Sequence, residues 1–320
     1  MRHENQQKLR HSGQLFLLIR NDRQGRWKCN RIVAVRRFGT ILAHSTVYWI
    51  PGQARYDGFL VAAPGGVVLA HDPVFGIGPH VLFRDGVEVS TVIAQEKAGL
   101  EKESEFALEL VYGITGDWAA GIELPYSDKE DGLQSSRGEA DIQIFTKYRF
   151  WREDSLGLQE SAAVTLAVNL QNGDDKADPP LGNGATDVIA GLTYGYESLK
   201  WYRWASVRYL APGKNSKEFR LGDKWLVDFV GGWRPAEPIY RAPDTVWLLE
   251  LNGEITDRAE LNGNNLVNSG GTEWFVSPGI FWSMHNFAIK AGIQLPVASD
   301  LNGSQEKSDY RFKASFEWHL

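Results

Sequence analysis

From about residue 83 to the C-terminus the chain repeats one pattern: roughly ten residues alternating between apolar and polar, then a turn or loop. The pattern occurs over residues 84–94, 104–113, 118–126, 138–151, 160–170, 186–197, 201–210, 222–234, 244–256, 272–283, 286–297 and 309–320. A period of two puts alternate side chains on opposite faces of a sheet. Thus Phe106, Leu108, Leu110 and Tyr112 oppose Glu105, Ala107, Glu109 and Val111. Ile142, Ile144, Tyr148 and Phe150 oppose Asp141, Gln143, Lys147 and Arg149, and Tyr310, Phe312, Ala314, Phe316 and Trp318 oppose Arg311, Lys313, Ser315, Glu317 and His319. An apolar face and a charged face on the same strands suit a barrel wall between lipid and a polar interior.

A soluble sandwich also alternates, so the connections carry the distinction. Short ones, at 114–117, 198–200 and 284–285, interleave with longer polar ones at 95–103, 127–137, 171–185, 257–271 and 298–308. That rhythm predicts a twelve-stranded antiparallel up-and-down transmembrane β-barrel over 84–320, with short periplasmic turns, longer outer loops and both ends of the barrel on the periplasmic side. Aromatic residues flank the short turns: Tyr112 and Trp118, then Tyr194, Tyr196, Trp201, Tyr202 and Trp204, then Trp282 and Phe287. Rings at strand ends meet the membrane interface. Composition fits without deciding: 12% aromatics, a mean hydropathy of −0.32, and no apolar run of about 18 residues to make a spanning helix.

The front of the chain is a different object. Residues 1–70 hold 11 Lys/Arg against 3 Asp/Glu, and the remainder 23 against 37. Residues 1–57 read as a basic extension, without trustworthy periodicity, or as a start codon assigned too early. Residues 58–70, Gly58-Phe-Leu-Val-Ala-Ala-Pro-Gly-Gly-Val-Val-Leu-Ala70, read as a signal-peptide h-region with cleavage after Ala70. Residues 71–83 then form an N-terminal segment or a partial plug. Cys29 is the single cysteine, which leaves the barrel region compatible with an oxidising periplasm. The acidic body has no means of neutralising phosphates, so nucleic acid is excluded as a partner.

The motifs Val111-Tyr-Gly-Ile-Thr-Gly-Asp-Trp118, Gly121-Ile-Glu-Leu-Pro-Tyr126 and Gly138-Glu-Ala-Asp-Ile142 with Lys147-Tyr-Arg-Phe150 resemble the outer-membrane channel family named for the MetA pathway of phenol degradation. Gly222-Asp223, Gly232-Trp-Arg-Pro235, Leu249-Glu-Leu-Asn-Gly253, Ser277-Pro-Gly279 and Ala291-Gly-Ile-Gln-Leu-Pro-Val297 continue the resemblance. It implies a monomeric barrel with a narrow lumen that takes up small, often hydrophobic or aromatic molecules. The lipid bilayer, the permeant and the barrel-assembly machinery are then the partners, and no cofactor is called for. One departure is the terminus, Trp318-His319-Leu320, where such barrels end in an aromatic residue that the assembly machinery recognises.

The polar faces nominate pore-lining residues of both signs: Glu109, Glu123, Asp141, Lys147, Arg149, Asp187, Glu197, Asp228, Glu250, Lys290, Arg311, Lys313 and Glu317. They set what passes a charged constriction, or pair as ladders that fill a small barrel. The contrasting readings are a barrel that acts through its outer loops, in adhesion or structure, and an outer-membrane lipase. The lipase reading is weak, because the barrel histidines His285 and His319 lie away from any serine near the outer rim. His71 and His80 form a speculative metal pair if the amine of His71 is freed by cleavage. The acidic loop Asn172–Asp178 has no calcium-loop spacing.

Overall fold

The computed structural model describes residues 7–11, 14–20, 27–31, 72–236 and 243–320. The chain divides into a unit of residues 1–50 and a unit of residues 51–320. In the first, the strands Gln7–His11, Gln14–Arg20 and Trp27–Arg31 make an antiparallel meander. The strand Gln14–Arg20 carries a continuous apolar run, Leu15 to Ile19, which has no period-two signal, so alternation missed it. The h-region and the cleavage site fall outside the described residues.

The second unit is a closed antiparallel barrel of twelve strands. They are β1 (Val87–Ala98), β2 (Glu101–Thr115), β3 (Trp118–Asp131), β4 (Gln143–Ser155), β5 (Leu158–Asn169) and β6 (Asp187–Ser198), followed by β7 (Trp201–Ala211), β8 (Lys224–Trp233), β9 (Asp244–Thr256), β10 (Gly271–Ser283), β11 (Phe287–Leu301) and β12 (Tyr310–His319). Each pairs with its neighbour in sequence, and β12 closes on β1 with Tyr310 opposite Lys97 and His319 opposite Glu88. Every expected alternating segment corresponds to one of these strands.

Polarity is inverted relative to a soluble protein. The outward face exposes Phe106, Leu124, Ile144, Leu166, Leu192, Phe229, Leu249 and Ile289, whereas Glu109, Glu123, Lys147, Glu250 and Lys290 are buried inside. Leaving so much large apolar surface in water would be costly, at about 25 cal/mol per Å². Hydrocarbon removes that cost, and closure pairs every wall strand, as a membrane demands. Near the rim of short turns, Tyr112, Trp118, Tyr194, Trp201, Trp233, Trp247 and Trp318 form an outward girdle. Phe287 stacks on Trp318 at 6.1 Å within it. Tyr202 and Trp204, expected in this girdle, are instead buried inside. Trp201 faces out, and the period of two then turns both of them inward.

Two expected outer loops are strand. Residues 95–103 continue β1 and β2 around a tight turn at Gly99, whose φ of +57° suits glycine. Residues 127–137 mostly continue β3 into a short strand, Gln134–Glu139, folded back on its end. Beyond the bilayer a strand needs no apolar face, so its charges resemble a loop in sequence. In space they pair, with Lys129 Nζ at 3.2 Å from Glu103. β4 and β5 likewise meet at a tight turn, Leu156-Gly157. Short strands Phe219–Arg220, Glu260–Leu261 and Asn264–Asn265 tie two outer loops together.

Candidate functional site: the lumen and its internal strap

Residues 72–82, immediately before β1, lie against lumenal side chains along their whole length. Their sequence, Asp72-Pro-Val-Phe-Gly-Ile-Gly-Pro-His-Val-Leu82, gives a compact strap with little side-chain bulk. Its central anchor is Glu250 on β9. The carboxylate accepts the backbone N–H groups of Val74 at 2.7 Å, Phe75 at 3.2 Å and Gly76 at 2.9 Å. Successive N–H groups converging on one anion form a nest, and bonds to a buried charge are stronger than neutral ones.

A second anchor is Lys147 on β4, which is fully buried. It donates to Asp72 Oδ2 and to the carbonyl of Gly78, both at 2.8 Å. Thr193 donates to the Ile77 carbonyl at 3.0 Å, and Arg208 to that of Phe75 at 3.3 Å. His80 pairs with Glu197, which also accepts the indole N–H of Trp204 at 2.7 Å. The wall thins where the strap passes. A Cβ on Gly195 would stand 2.7 Å from Pro79, and one on Gly292 would stand 3.1 Å from the Phe75 ring. These glycines make room for a second chain inside a small barrel.

The strap floors an outward chamber of about 800 Å³, open solvent at its mouth included. Phe75 lies at its base, with Val92, Ala94 and Leu226 on the walls. Five carboxylates line it, Glu96, Glu103, Glu105, Asp228 and Glu254, against the cations Arg208, Arg311 and Lys313. Arg311 holds Glu254 and stands 3.6 Å from Glu96, while Arg208 donates to Asp228 at 2.9 Å. Asp228 also accepts from Ser206 at 2.6 Å and from Asn252 at 2.9 Å. Glu109 and Glu123, both fully buried, are opposite each other across β2 and β3.

The nominated residues therefore separate into groups. Glu197, Glu250 and Lys147 hold the strap, and Asp228, Arg311 and Lys313 line the chamber. Glu109 and Glu123 are buried opposite each other, and Lys290 sits 2.5 Å from Glu317 nearer the short-turn rim. Three do other work. Asp141 precedes β4 rather than lying on it, and it accepts from Gly173 N at 2.8 Å and Asn183 N at 3.2 Å. Its carboxyl, outside the strands, is pushed up by burial. Asp187 accepts from Asn183 at 2.8 Å and from Gly213 N at 3.0 Å, so it staples outer loops. Arg149 closes the turn between β2 and β3 on Asp117 at 2.7 Å and on the Gly116 carbonyl at 2.7 Å.

Sequence reasoning missed Asp72, Glu96, Glu103, Glu105, Arg208 and Glu254 as site residues. Glu254 could have been found, because it continues the inward run of Glu250 and Asn252. His71 lies outside the described residues, and His80 is engaged by Glu197. In the acidic loop, Asp175 pairs with Lys217 at 3.0 Å and Asp178 accepts from Gln134 at 2.8 Å.

The model of the family "Putative MetA-pathway of phenol degradation" matches residues 98–244. The resemblance read from the motifs is thereby borne out, and the motifs from Val111 to Pro235 fall inside the match. None of the curated proteins matches the sequence. Among solved structures, an outer membrane channel from Pseudomonas putida F1 superposes with a TM-score of 0.61 at 12% identity, covering 79% of this chain and all of that one. This likeness establishes the fold. The NanC porin (TM-score 0.47, 9% identity, 72% of this chain and 100% of that one) and the β domain of the Bordetella autotransporter BrkA (0.46, 11%, 73% and 99%) are more distant.

Proposed function

We propose that this bacterial outer-membrane β-barrel is a passive channel for small molecules, monomeric in the membrane, in which the strap of residues 72–82 sets the constriction. The observation that supports this reading most is the chamber, a polar space open outward and floored by Phe75 of the strap. An outer vestibule of this kind concentrates a solute before the narrow step, and charges on its wall select by sign. The strap meets the wall through hydrogen bonds and ion pairs along most of its length, so a solute passes only by shifting it or by slipping beside it. The family description names phenol degradation, and apolar groups share the chamber with charges, so small hydrophobic or aromatic molecules are the proposed permeants.

Leu320 takes the outward parity of Phe316 and Trp318, is exposed, and exchanges backbone hydrogen bonds with Val87. We therefore expect the assembly machinery to accept leucine at this position. Single-channel conductance of the refolded chain in planar bilayers, together with liposome swelling in phenol or benzoate, tests the channel reading. Small steps of current and swelling above that of empty liposomes are expected. Correctly folded protein that passes neither ions nor small solutes would overturn it.

A further inference from the structure

The short-turn rim holds a cluster that the channel reading does not use. Glu88 opens β1, while Glu317 and His319 lie two residues apart on the same inward face of β12. These strands are the first and the last of the barrel, and His319 is the register partner of Glu88. His319 Nε2 stands 3.0 Å from Glu88 Oε2, and one ligand atom from each of the three residues falls within 4.8 Å of the others. Both carboxylates are fully buried, whereas the imidazole is 19% exposed toward the rim.

A second observation points to a ligand. Lys290 engages Glu317 through Oε1 at 2.5 Å, yet Oε2 of the same buried carboxylate has no hydrogen-bond partner. A buried carboxylate oxygen left without a partner is costly to keep. We propose that Glu88, Glu317 and His319 bind a divalent transition-metal ion, zinc being the best match, across the seam where the barrel closes.

One imidazole nitrogen and two carboxylate oxygens are a borderline donor set that suits zinc, with the fourth position left to water. Ligand atoms within 4.8 Å of one another need only small side-chain shifts to reach a common ion at about 2.0–2.2 Å. The two carboxylates neutralise the ion's double charge, and Lys290 keeps its own partner oxygen on Glu317 as well as the nearby charge of Asp72. The partly exposed imidazole gives the ion an entry from the rim. Bound there, the metal links the two strands that no loop connects.

The test uses the full refolded chain in detergent, with zinc sulfate as the probe. Bound metal is counted after equilibrium dialysis, and the temperature at which the folded band converts on a denaturing gel is followed. One zinc per chain and a conversion temperature raised by several degrees are expected, because a ligand that binds only the folded state stabilises it. His319→Ala and Glu88→Gln should each weaken binding by at least about tenfold, comparable with the loss of a supporting contact in a metal site. His285→Ala, in an exposed turn, should leave it unchanged. Equal zinc on the wild type and on His319→Ala, or none on the wild type, would overturn the proposal. Should Glu88→Gln fail to assemble, His319→Ala at the partly exposed position decides alone.

Discussion

The two halves of the lumen solve the same problem in opposite ways. Toward the short-turn rim the interior is filled, and much of its charge is paired: Lys147 with Asp72, Lys290 with Glu317, His80 with Glu197, and Glu250 with three backbone N–H groups. Toward the outer loops the interior is a chamber lined by five carboxylates and three cations, with Lys129 and Lys224 reaching Glu103 and Glu254 from beside it. Burying an ion without a partner costs several kcal/mol, so a filled lumen favours paired charges. A lumen that keeps water can hold an excess of one sign. The difference teaches where to look for each property: permeability in the filled half, charge preference in the open one.

The largest break in that comparison is removal of the filling. Deleting residues 72–80 should raise single-channel conductance several-fold, while the barrel still migrates as a heat-modifiable band. Unchanged conductance would mean that the strap is not the constriction. Next comes Lys147→Met, which strands Asp72 and should cost about 3–5 kcal/mol, as when one partner of a buried ion pair is lost. Urea unfolding from detergent micelles would measure it, and a loss below about 1 kcal/mol, as for an exposed pair, would place Asp72 in water.

Glu250→Gln keeps the shape but removes the charge in the N–H nest, at an expected cost of about 1–3 kcal/mol. Its sharper sign is electrical: the strap should leave its seat more often, seen as frequent opening events that are rare in the wild type. Smallest in stability is Glu105→Gln at the chamber wall. Reversal potentials under a KCl gradient should show a lower preference for potassium over chloride, with unfolding unchanged to within about 0.5 kcal/mol. An unaltered reversal potential would show that the chamber does not select.

The wall was legible in the sequence because one physical rule, lipid outside and polar inside, writes itself at every second residue. Where that rule stops, reading failed. Residues 95–103 and 127–137 are strand outside the hydrocarbon, where nothing requires an apolar face. Tyr202 and Trp204 resemble girdle residues by type, and only their phase relative to Trp201 reveals that they face in. The candidate site was half legible. Alternation located Glu250 and Lys147, but not what they hold, because Val74 to Gly76 take part through backbone groups that no side-chain pattern records. Asp141 and Asp187 show the converse: a charge beside a strand can belong to the loops above it.

The strap hangs from the barrel by a very short tether, since only residues 83–86 separate Leu82 from the start of β1. Holding it near the lumen therefore costs little loop entropy, which grows only with the logarithm of length. The strand that carries the strap is also the one on which the last strand must close. Biogenesis then resembles shutting a door on a cord tied to its own hinge. The strap reaches its seat either before β1 joins β12 or through the short-turn mouth afterwards, and its tether at the rim leaves both routes open.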